Sequence, residues 1–222
     1  MDKKHVSVWG RNLEEYKKMF GLSELTKSLK IISVADGPSA FNVQLRQLGV
    51  DITSVDPIYN LSIAELKMRF KESYAFNRNL FIEQTDNFNF KNDGEIEKHL
   101  AKRENTFNTF ITDYELHPNY YHYGMLPVLA FESNSFDLCL CSNFLFIFDH
   151  IFNMAFHLNS IKEMLRVSNE VRIFPVYNTN GKRSVHLDNV LEFLTTNNFI
   201  CEVITNDYHV YKDGNRFLKI TR

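Results

Sequence analysis

The chain has 222 residues, and its 25 basic and 27 acidic side chains leave a net charge of −2. This length fits one α/β domain with a good-sized core better than two small domains. The near-neutral charge argues against a nucleic-acid binder with a broad basic face, because neutralising phosphates requires clustered lysine and arginine. The 20 phenylalanines and 10 tyrosines predict an aromatic-rich core in which some rings line a pocket.

Cysteine usage and hydropathy indicate a cytoplasmic protein. Three cysteines, Cys139, Cys141 and Cys201, cannot all pair, and no apolar stretch typical of a secretion signal follows Met1–Lys4. The reducing cytoplasm is therefore the expected location. The most apolar segment, residues 136–156, is interrupted by two aspartates, two asparagines and a histidine, each costly in hydrocarbon. We interpret it as a buried strand, a loop and a helix, and we expect no membrane span.

The first quarter of the chain predicts a helix followed by the opening half of a doubly wound sheet. Asn12–Phe20 is amphipathic, with Asn12 as its cap and Gly21 as its end, and a second short helix over Ser23–Leu29 is an option. A strand, a glycine turn, a helix and a second strand follow: Lys30–Val34, Ala35–Pro38, a helix from Ser39 or Ala40 that closes at Gly49, and Asp51–Val55. The second strand ends at Asp56-Pro57, which completes a unit of the doubly wound type.

The middle of the chain predicts two long helices rich in charge. They span Ser62–Asn79 and Gly94–Tyr114 within a block from residue 60 to residue 119. Because this block is longer than a crossover connection needs, we expect it to be a helical elaboration over the site. Since the chain has no repeat or linker, residues 1–222 are predicted to form a single domain, with residues 1–29 as a helical N-terminal extension.

The last part of the chain alternates strands and helices. Strands are predicted at Tyr120–Tyr123, Phe136–Cys141, Glu170–Pro175 and Ile200–Ile204, and helices at Ala155–Val167 and Val185–Asn197. The Asp-Gly pair at 213–214 predicts a final hairpin in which Tyr208–Tyr211 pairs with Phe217–Thr221.

A glycine turn and an acid form the clearest candidate site. Glycine between a first strand and a first helix lets the backbone and the helix N–H groups approach a ligand closely. An acid at the tip of the second strand can accept hydrogen bonds from both ribose hydroxyls. Asp56 follows Gly37 by 19 positions, close to the roughly 20 of this geometry. The turn contains one glycine and a proline, Pro38, and therefore fits a dinucleotide pyrophosphate poorly.

Four segments carry motifs in a recognisable order. Ile31–Ser39 is a hydrophobic strand with a Gly-Pro turn, Ile52–Asp56 ends in an acid, Ser135–Asn143 contains Phe-Asp-Leu, and Ile161–Val167 contains Glu-x-x-Arg-Val. In these segments the chain resembles the class I S-adenosylmethionine-dependent methyltransferases, and it looks like uncharacterised bacterial members of that family. The resemblance implies a Rossmann-like methyltransferase fold: a mostly parallel seven-stranded sheet with helices on both faces and a C-terminal antiparallel hairpin.

The same resemblance implies S-adenosylmethionine as the cofactor and assigns residues to it. Asp56 would hold the ribose. The turn would hold the methionine end through the backbone of Ala35, Asp36, Gly37, Pro38 and Ser39. Further cofactor contacts are implied at Pro57, Tyr59, Met125, Leu126, Cys141 and Ser142. Of these, Tyr59 would stack on the adenine, although an aromatic residue at that position can equally belong to the core.

The acceptor side is defined less sharply by the sequence. Candidate groups there are Asn143, Tyr123 and His122, although Asn143 can equally be a turn residue and the other two can belong to a surface loop. The acceptor is expected to be a small molecule or a protein side chain rather than a nucleic acid. No metal site is expected, because Asp149 and the nearby histidines match no established ligand spacing.

Two positions depart from the family pattern. Ser33 stands where the family has an acid that helps hold the methionine ammonium, and Ala35 stands where the family has the first glycine of the turn. Asp36, inside the turn, could supply the missing charge. The leading hypothesis is an S-adenosylmethionine-dependent methyltransferase that transfers the sulfonium methyl to an acceptor. The two departures motivate a second hypothesis, a methyltransferase-like cofactor-binding or scaffold protein without turnover. A third hypothesis is a nucleotide- or NAD-dependent enzyme on a related fold.

Several other residues are expected to be structural. Cys139 and Cys141 alternate along a buried strand and are predicted to pack in the core. Arg166 and Arg172 are predicted to be partners in structural ion pairs.

Overall fold

The structure is a computed structural model that describes residues 7–23, 27–208, 210–212 and 214–222. Its helices are α1 (Leu13–Phe20), α2 (Phe41–Gln47), α3 (Ile63–Glu83), α4 (Asp93–Leu116), α5 (Met154–Val167) and α6 (Leu187–Thr196). Its strands are β1 (Lys30–Val34), β2 (Asp51–Val55), β3 (Tyr121–His122), β4 (Phe136–Ser142), β5 (Ser168–Phe174), β6 (Ile200–Thr205) and β7 (Arg216–Thr221).

The seven strands form one sheet in the order β3-β2-β1-β4-β5-β7-β6. β1 pairs in parallel with β2 on one side and with β4 on the other, so the strand order reverses at β1. β5 extends the parallel part, whereas β7 runs antiparallel between β5 and β6. The predicted Rossmann-like methyltransferase fold is therefore confirmed. In such a sheet a ligand crevice forms outside the carboxyl ends of the strands where the order reverses.

Alternate side chains of the central strands point to opposite faces of the sheet and pack in two hydrophobic layers, one on each face. Ile32 and Val34 of β1 pack with residues of α5 and α6, whereas Ile31 packs with residues of α1 and α2. This alternation follows from the two-residue period of a strand. Cys139 and Cys141 of β4 belong to the α5 and α6 layer and are fully buried, which confirms that they pack in the core.

The termini of the helices follow their sequence signals. The side chain of Asn12 accepts a hydrogen bond from the Glu15 N–H, and the Glu15 carboxylate accepts one from the Asn12 N–H, which forms a capping box. Gly21 ends α1 in the left-handed conformation, with a φ of 61°. Ser62 and Glu65 form the same kind of box at the start of α3. The cap and the end predicted for the first helix are confirmed.

Several predicted boundaries differ from the structure. β1 and β2 have the predicted bounds, but α2 begins at Phe41, where the Ser39 hydroxyl accepts the Phe41 N–H at 3.1 Å. α3 continues to Glu83, and β3 is limited to Tyr121–His122. Residues 24–26 of the optional helix over 23–29 lie outside the described residues, and residues 23 and 27–29 are not helical.

The predicted final hairpin is wrong in its first strand. β7 pairs with β6, from Ile200 opposite Thr221 to Thr205 opposite Arg216, rather than with Tyr208–Tyr211. Tyr208 and Tyr211 lie in the connection between the two strands, where the Tyr208 ring is buried and Tyr211 bridges to Phe88. The two tyrosines therefore belong to a loop whose rings turn inward, rather than to a strand.

Helices α3 and α4 pack together at the β3 end of the sheet. Phe70 of α3 stacks on Phe107 of α4 with ring centroids 4.1 Å apart, and Phe110 packs against Tyr121 of β3. Arg166 and Arg172 form the predicted ion pairs elsewhere, with Glu163 and Glu170. Among the described residues, no helix combines the length and apolarity needed to cross a bilayer.

Candidate cofactor and acceptor site

A cavity of about 780 Å³ opens at the carboxyl ends of β1, β2 and β4, where the strand order reverses. Its volume lies within the usual range of small-molecule sites, roughly 300–1,000 Å³. Two groups of lining residues differ in character. We call Ala35, Asp36, Gly37, Asp56, Pro57, Met125, Leu126 and Ser142 the glycine-turn end, and Trp9, Phe76, Phe81, Phe88, Phe144, Phe148, Phe152, Phe156, Tyr177, Tyr208 and Tyr211 the aromatic end.

The turn after β1 has an unusual backbone. Ala35 and Gly37 both adopt the left-handed conformation, with φ values of 53° and 60°. Glycine takes this conformation without penalty, whereas the Cβ of alanine makes it unfavourable. The Gly37 N–H donates to Asp56 Oδ2 at 2.9 Å, and the Gly37 carbonyl accepts from the Tyr59 hydroxyl at 2.7 Å. The turn is therefore held from the end of β2.

Asp36 points inward from the turn and is hydrogen-bonded by three hydroxyls. Tyr16 and Ser33 donate to its Oδ1 at 2.5 and 2.7 Å, and Ser54 donates to its Oδ2 at 2.5 Å. Burial raises the pKa of the Asp36 carboxyl, while these donors oppose the shift. The carboxylate of Asp36 thus lies directly beside the side chain of Ser33.

Asp56 follows β2 and faces the turn. Its Oδ1 accepts the Ile58 N–H and its Oδ2 accepts the Gly37 N–H, both at 2.9 Å. Burial raises the pKa of Asp56 to about 6; the two N–H groups lower it, and nearby Asp36 raises it further. Each carboxylate oxygen has a second lone pair, so Asp56 can accept two more hydrogen bonds.

The predicted adenine contacts fall into two groups. Met125 and Leu126 line the cavity. Tyr59 is buried outside the lining, where its ring packs against Phe110 and Tyr121 with centroids 6.0 and 5.3 Å apart. Its hydroxyl supports the turn instead, so this placement favours the core alternative over stacking on adenine.

Asn143 directly follows β4 and lines the cavity. It has a φ of 53°, and its N–H donates to the Phe174 carbonyl at 2.6 Å. Its side-chain amide donates to Ser142 Oγ at 2.9 Å, and its Oδ1 accepts from Arg11 at 3.3 Å. This arrangement fixes the orientation of the amide at the place predicted for a substrate-facing group.

The structure brings together ten of the fifteen predicted site residues as lining of one cavity: Ala35, Asp36, Gly37, Asp56, Pro57, Tyr123, Met125, Leu126, Ser142 and Asn143. Five do not line it: Pro38, Ser39, Tyr59, His122 and Cys141. Cys141 is fully buried within β4, and the His122 ring packs against Phe131 at 5.7 Å. The Ser39 hydroxyl donates to the Arg11 carbonyl at 2.7 Å and so supports the wall from behind.

Residues 9–11 are a part of the site that the sequence did not reveal. Gly10 crosses the turn so closely that a Cβ there would lie 1.9 Å from the Pro38 carbonyl oxygen. On either side of it, Trp9 and Arg11 line the cavity. An arginine just before a helix cap is typical of a solvated surface, and no local pattern distinguishes it from one.

The aromatic end is built from rings in contact with one another. Phe88 packs on Phe81 at 4.9 Å and on Tyr211 at 4.7 Å, and Tyr211 packs on Tyr177 at 5.2 Å. A second set follows β4, where Phe144, Phe148, Phe152 and Phe156 form further ring contacts. The Thr179 N–H donates to the Ile147 carbonyl at 3.1 Å, which joins the loop after Tyr177 to this second set.

A buried ion pair supports the aromatic end from behind. The Arg103 guanidinium donates to the Glu15 carboxylate and to the Gly10 carbonyl, and the Tyr208 hydroxyl donates to Glu15 at 3.0 Å. Burial raises the pKa of Glu15, but the charge and hydrogen bond of Arg103, the charge of Arg11 and the Asn12 N–H together outweigh it and lower the pKa to about 2. The neighbouring His99 lines the cavity, and burial, with the charge of Arg103, lowers its pKa to about 3.

No group of three or more histidine, cysteine or carboxylate side chains is arranged to hold a metal ion within the described ranges. Around the cavity the described carboxylates are Asp36 and Asp56, both at the glycine-turn end.

Comparison with known proteins yields one close relative and a set of remote structural similarities. No protein-family model matches the chain. The uncharacterized protein MJ0045 of Methanocaldococcus jannaschii is 36% identical over 220 residues, which cover 99% of this chain and 97% of the archaeal protein. The relative is archaeal, so the expected likeness to bacterial members stays a prediction.

Two solved structures illustrate the remote similarities. WbdD, solved with the kinase inhibitor LY294002, is 12% identical with a TM-score of 0.51, over 94% of this chain and 40% of WbdD. A SAM-dependent methyltransferase from Aquifex aeolicus is 9% identical with a TM-score of 0.47, over 93% of this chain and 90% of that one. Identities this low bear on the fold alone. The chain belongs to the same family as MJ0045 of Methanocaldococcus jannaschii, on a Rossmann-like methyltransferase fold.

Proposed function

We propose that this protein transfers a methyl group from S-adenosylmethionine to an acceptor bound in the same cavity. The observation that carries the proposal is Asp56, a buried acid at the end of β2 that is hydrogen-bonded to the turn after β1. Two carboxylate oxygens with free lone pairs match the two hydroxyls of a ribose. Three of the four segments that resemble class I methyltransferases, Ile31–Ser39, Ile52–Asp56 and Ser135–Asn143, contribute lining residues to this cavity.

The methionine end of the cofactor would lie against the glycine turn. Ser33 replaces the acid of the family, but the Asp36 carboxylate lies 2.7 Å from the Ser33 hydroxyl. The carboxylate of Asp36, three residues after Ser33, therefore lies close to the position that the missing acid would occupy. We assign to Asp36 the recognition of the methionine ammonium, since bringing a cation to a buried carboxylate favours its ionised form.

Methyl transfer needs alignment more than acid–base assistance. A lone pair of the acceptor attacks the methyl carbon, the new bond forms as the carbon–sulfur bond breaks, and sulfur keeps the electron pair to give neutral S-adenosylhomocysteine. Because the sulfonium already activates the methyl group, holding both partners in line supplies most of the acceleration. Asn143, at the end of β4, would orient the acceptor at this junction.

Calorimetric titration with S-adenosylmethionine tests the proposal. Wild type is expected to bind, and Asp56→Ala is expected to weaken binding about 100-fold, because two hydrogen bonds to a charged group are lost. Asp51→Ala is the matched control, since Asp51 is exposed at the opposite end of the same strand. Absence of binding by wild type, or equal binding by Asp56→Ala, would refute the proposal.

Turnover separates an enzyme from a scaffold protein that only binds the cofactor. Wild type with labelled S-adenosylmethionine and a cell extract is expected to release S-adenosylhomocysteine, and Asp56→Ala is expected to release far less. Binding without any release would favour the scaffold hypothesis.

A further inference from the structure

The aromatic end of the cavity has a composition that constrains the acceptor. Eleven aromatic side chains line it, contributed by the N-terminal segment, α3, the segment after it, the segment after β4 and the loops at 177 and 208–211. Flat rings in mutual contact favour a flat apolar ligand, which they can cover by stacking and by edge contacts. The cavity volume of about 780 Å³ has to hold the cofactor as well. A small molecule therefore fits this end better than a protein segment does.

Charge then distinguishes between the ligands that aromatic walls accept. Aromatic rings alone would also attract a cation. Arg11, however, lines the same region, and no carboxylate of the aromatic end accompanies it within the described part of the chain. Burial and the charge of Arg103 lower the pKa of His99 to about 3, so this histidine is uncharged at neutral pH and adds no positive charge to the region.

Hydrogen bonds hold the Arg11 side chain in place, and its charge acts on buried Glu15, which is already paired with Arg103. One of its NH2 groups donates to Asn143 Oδ1 at 3.3 Å and the other to the Trp9 carbonyl. Its Nε is buried without a hydrogen-bond partner. No ion pair involving Arg11 is formed among residues 7–23, 27–208, 210–212 and 214–222. A guanidinium fixed at Asn143 with spare donor capacity is suited to an anion.

We propose that the methyl acceptor is a small aromatic molecule with an anionic group, whose ring lies among the side chains of the aromatic end and whose charge meets Arg11 beside Asn143. This inference rests on the proposed function, because it assumes that the glycine-turn end is occupied by the cofactor. It identifies the sign of charge and the shape of the acceptor.

Matched ligands of opposite charge test the proposal. The protein is first saturated with S-adenosylhomocysteine and then titrated with phenylacetate, phenethylammonium and cyclohexylacetate. Phenylacetate is expected to bind at least tenfold more tightly than phenethylammonium, and more tightly than cyclohexylacetate, which lacks the flat ring. Trp9 is the one tryptophan of the sequence and lines the cavity, so its fluorescence should change on binding and locate the ligand.

Variants of Arg11 assign the effect to this side chain. Arg11→Gln is expected to abolish the preference for phenylacetate, and Arg11→Lys to retain it in part, because lysine keeps the charge. Lys18→Gln is the matched control, since it removes one positive charge from an exposed site on α1 and should leave the preference unchanged. Thermal unfolding of each variant checks that the fold is intact.

The possible failures are distinguishable. If wild type does not bind S-adenosylhomocysteine, the proposed function fails and this inference with it. If that ligand binds but phenylacetate does not, or binds no more tightly than phenethylammonium, the inference alone is overturned. It is also overturned if Arg11→Gln weakens the binding of S-adenosylhomocysteine while phenylacetate still binds more tightly than phenethylammonium. Arg11 would then bind the carboxylate of the cofactor's methionine end.

Discussion

The two ends of the cavity are built in different ways. The glycine-turn end comes mostly from short segments that follow β1, β2 and β4, so its groups are positioned by the sheet itself. The aromatic end collects side chains from residues 9, 76–88, 144–156 and 177–211, which approach one another only through tertiary packing. Strand ends fix backbone positions closely, whereas loops are free to vary. The difference suggests that cofactor binding depends on the shared fold and acceptor choice on this chain's own loops.

The largest expected effect concerns the buried Arg103–Glu15 ion pair that supports the aromatic end. Arg103→Leu would leave Glu15 buried without its ion-pair partner and should lower the free energy of unfolding by about 3–5 kcal/mol. Chemical denaturation measures the loss. Arg78→Leu is the matched control, because the Arg78–Glu97 pair is about half exposed on both sides and should contribute less than about 1 kcal/mol. Similar losses in the two variants would contradict the proposed importance of the buried pair.

The next effect tests whether Asp36 replaces the missing acid at the glycine-turn end. Asp36→Asn should weaken the binding of S-adenosylhomocysteine by about 30-fold. This factor is equivalent to about 2 kcal/mol, the contribution of a hydrogen bond to a charged group. 5′-Methylthioadenosine has no ammonium group, so its affinity should change much less in the same variant. Comparing two ligands on one variant cancels any general loss of folding. Equal losses for both ligands would assign Asp36 a structural role in the turn.

A smaller effect is expected from pH, because the pKa of Asp56 is raised to about 6 by burial. Ribose hydroxyls donate to the ionised carboxylate, so binding favours the deprotonated form. Affinity for S-adenosylhomocysteine should therefore be constant above about pH 7, fall to about half at the pKa, and fall to about a tenth at one unit below the pKa. Asp56→Asn should bind weakly without this pH dependence. A wild-type profile that is flat through this range would exclude Asp56 as the titrating ligand.

The sequence predicted that the glycine turn and Asp56 lie side by side, and it could do so for a physical reason. The hydrophobic runs of β1 and β2 have unambiguous ends, and the turn and the acid follow them directly, so Gly37 and Asp56 had to meet at one edge of a parallel sheet. The sequence could not predict the inward direction of Asp36, which depends on the Ser54 hydroxyl of β2. Nor could it predict the supporting role of Tyr59, whose hydroxyl donates to the Gly37 carbonyl of the turn. Local pattern specifies where a strand ends but not which way a turn side chain points.

The sequence did not predict the aromatic end, because its side chains come together through tertiary packing rather than at the ends of strands. The alternating apolar residues at 208–211 and 217–221 predicted two paired strands, yet β7 pairs with β6 and the tyrosines pack against Phe88 and Tyr177. A ring that packs inward from a loop has the same local signature as one that alternates on a strand. Arg11 was missed because its partner, Asn143, lies 132 residues away.

The smallest expected effect concerns the backbone strain at Ala35 in the glycine turn. Ala35 adopts a φ of 53°, which costs an alanine about 1–2 kcal/mol relative to a right-handed conformation. Ala35→Gly removes this strain but adds freedom to the unfolded chain, so the net stabilisation should be about 1 kcal/mol or less, a rise of about 2–4 °C in Tm at most. Gly37→Ala is the mirror experiment. Its Cβ would meet no atom within 4 Å, so only backbone strain acts, and Tm should fall by a similar amount. Because Ala35 lines the cavity, Ala35→Gly should also bind S-adenosylhomocysteine at least as well as wild type. A loss of affinity on removing the Cβ of Ala35 would show that this chain has adapted its cofactor contact to alanine.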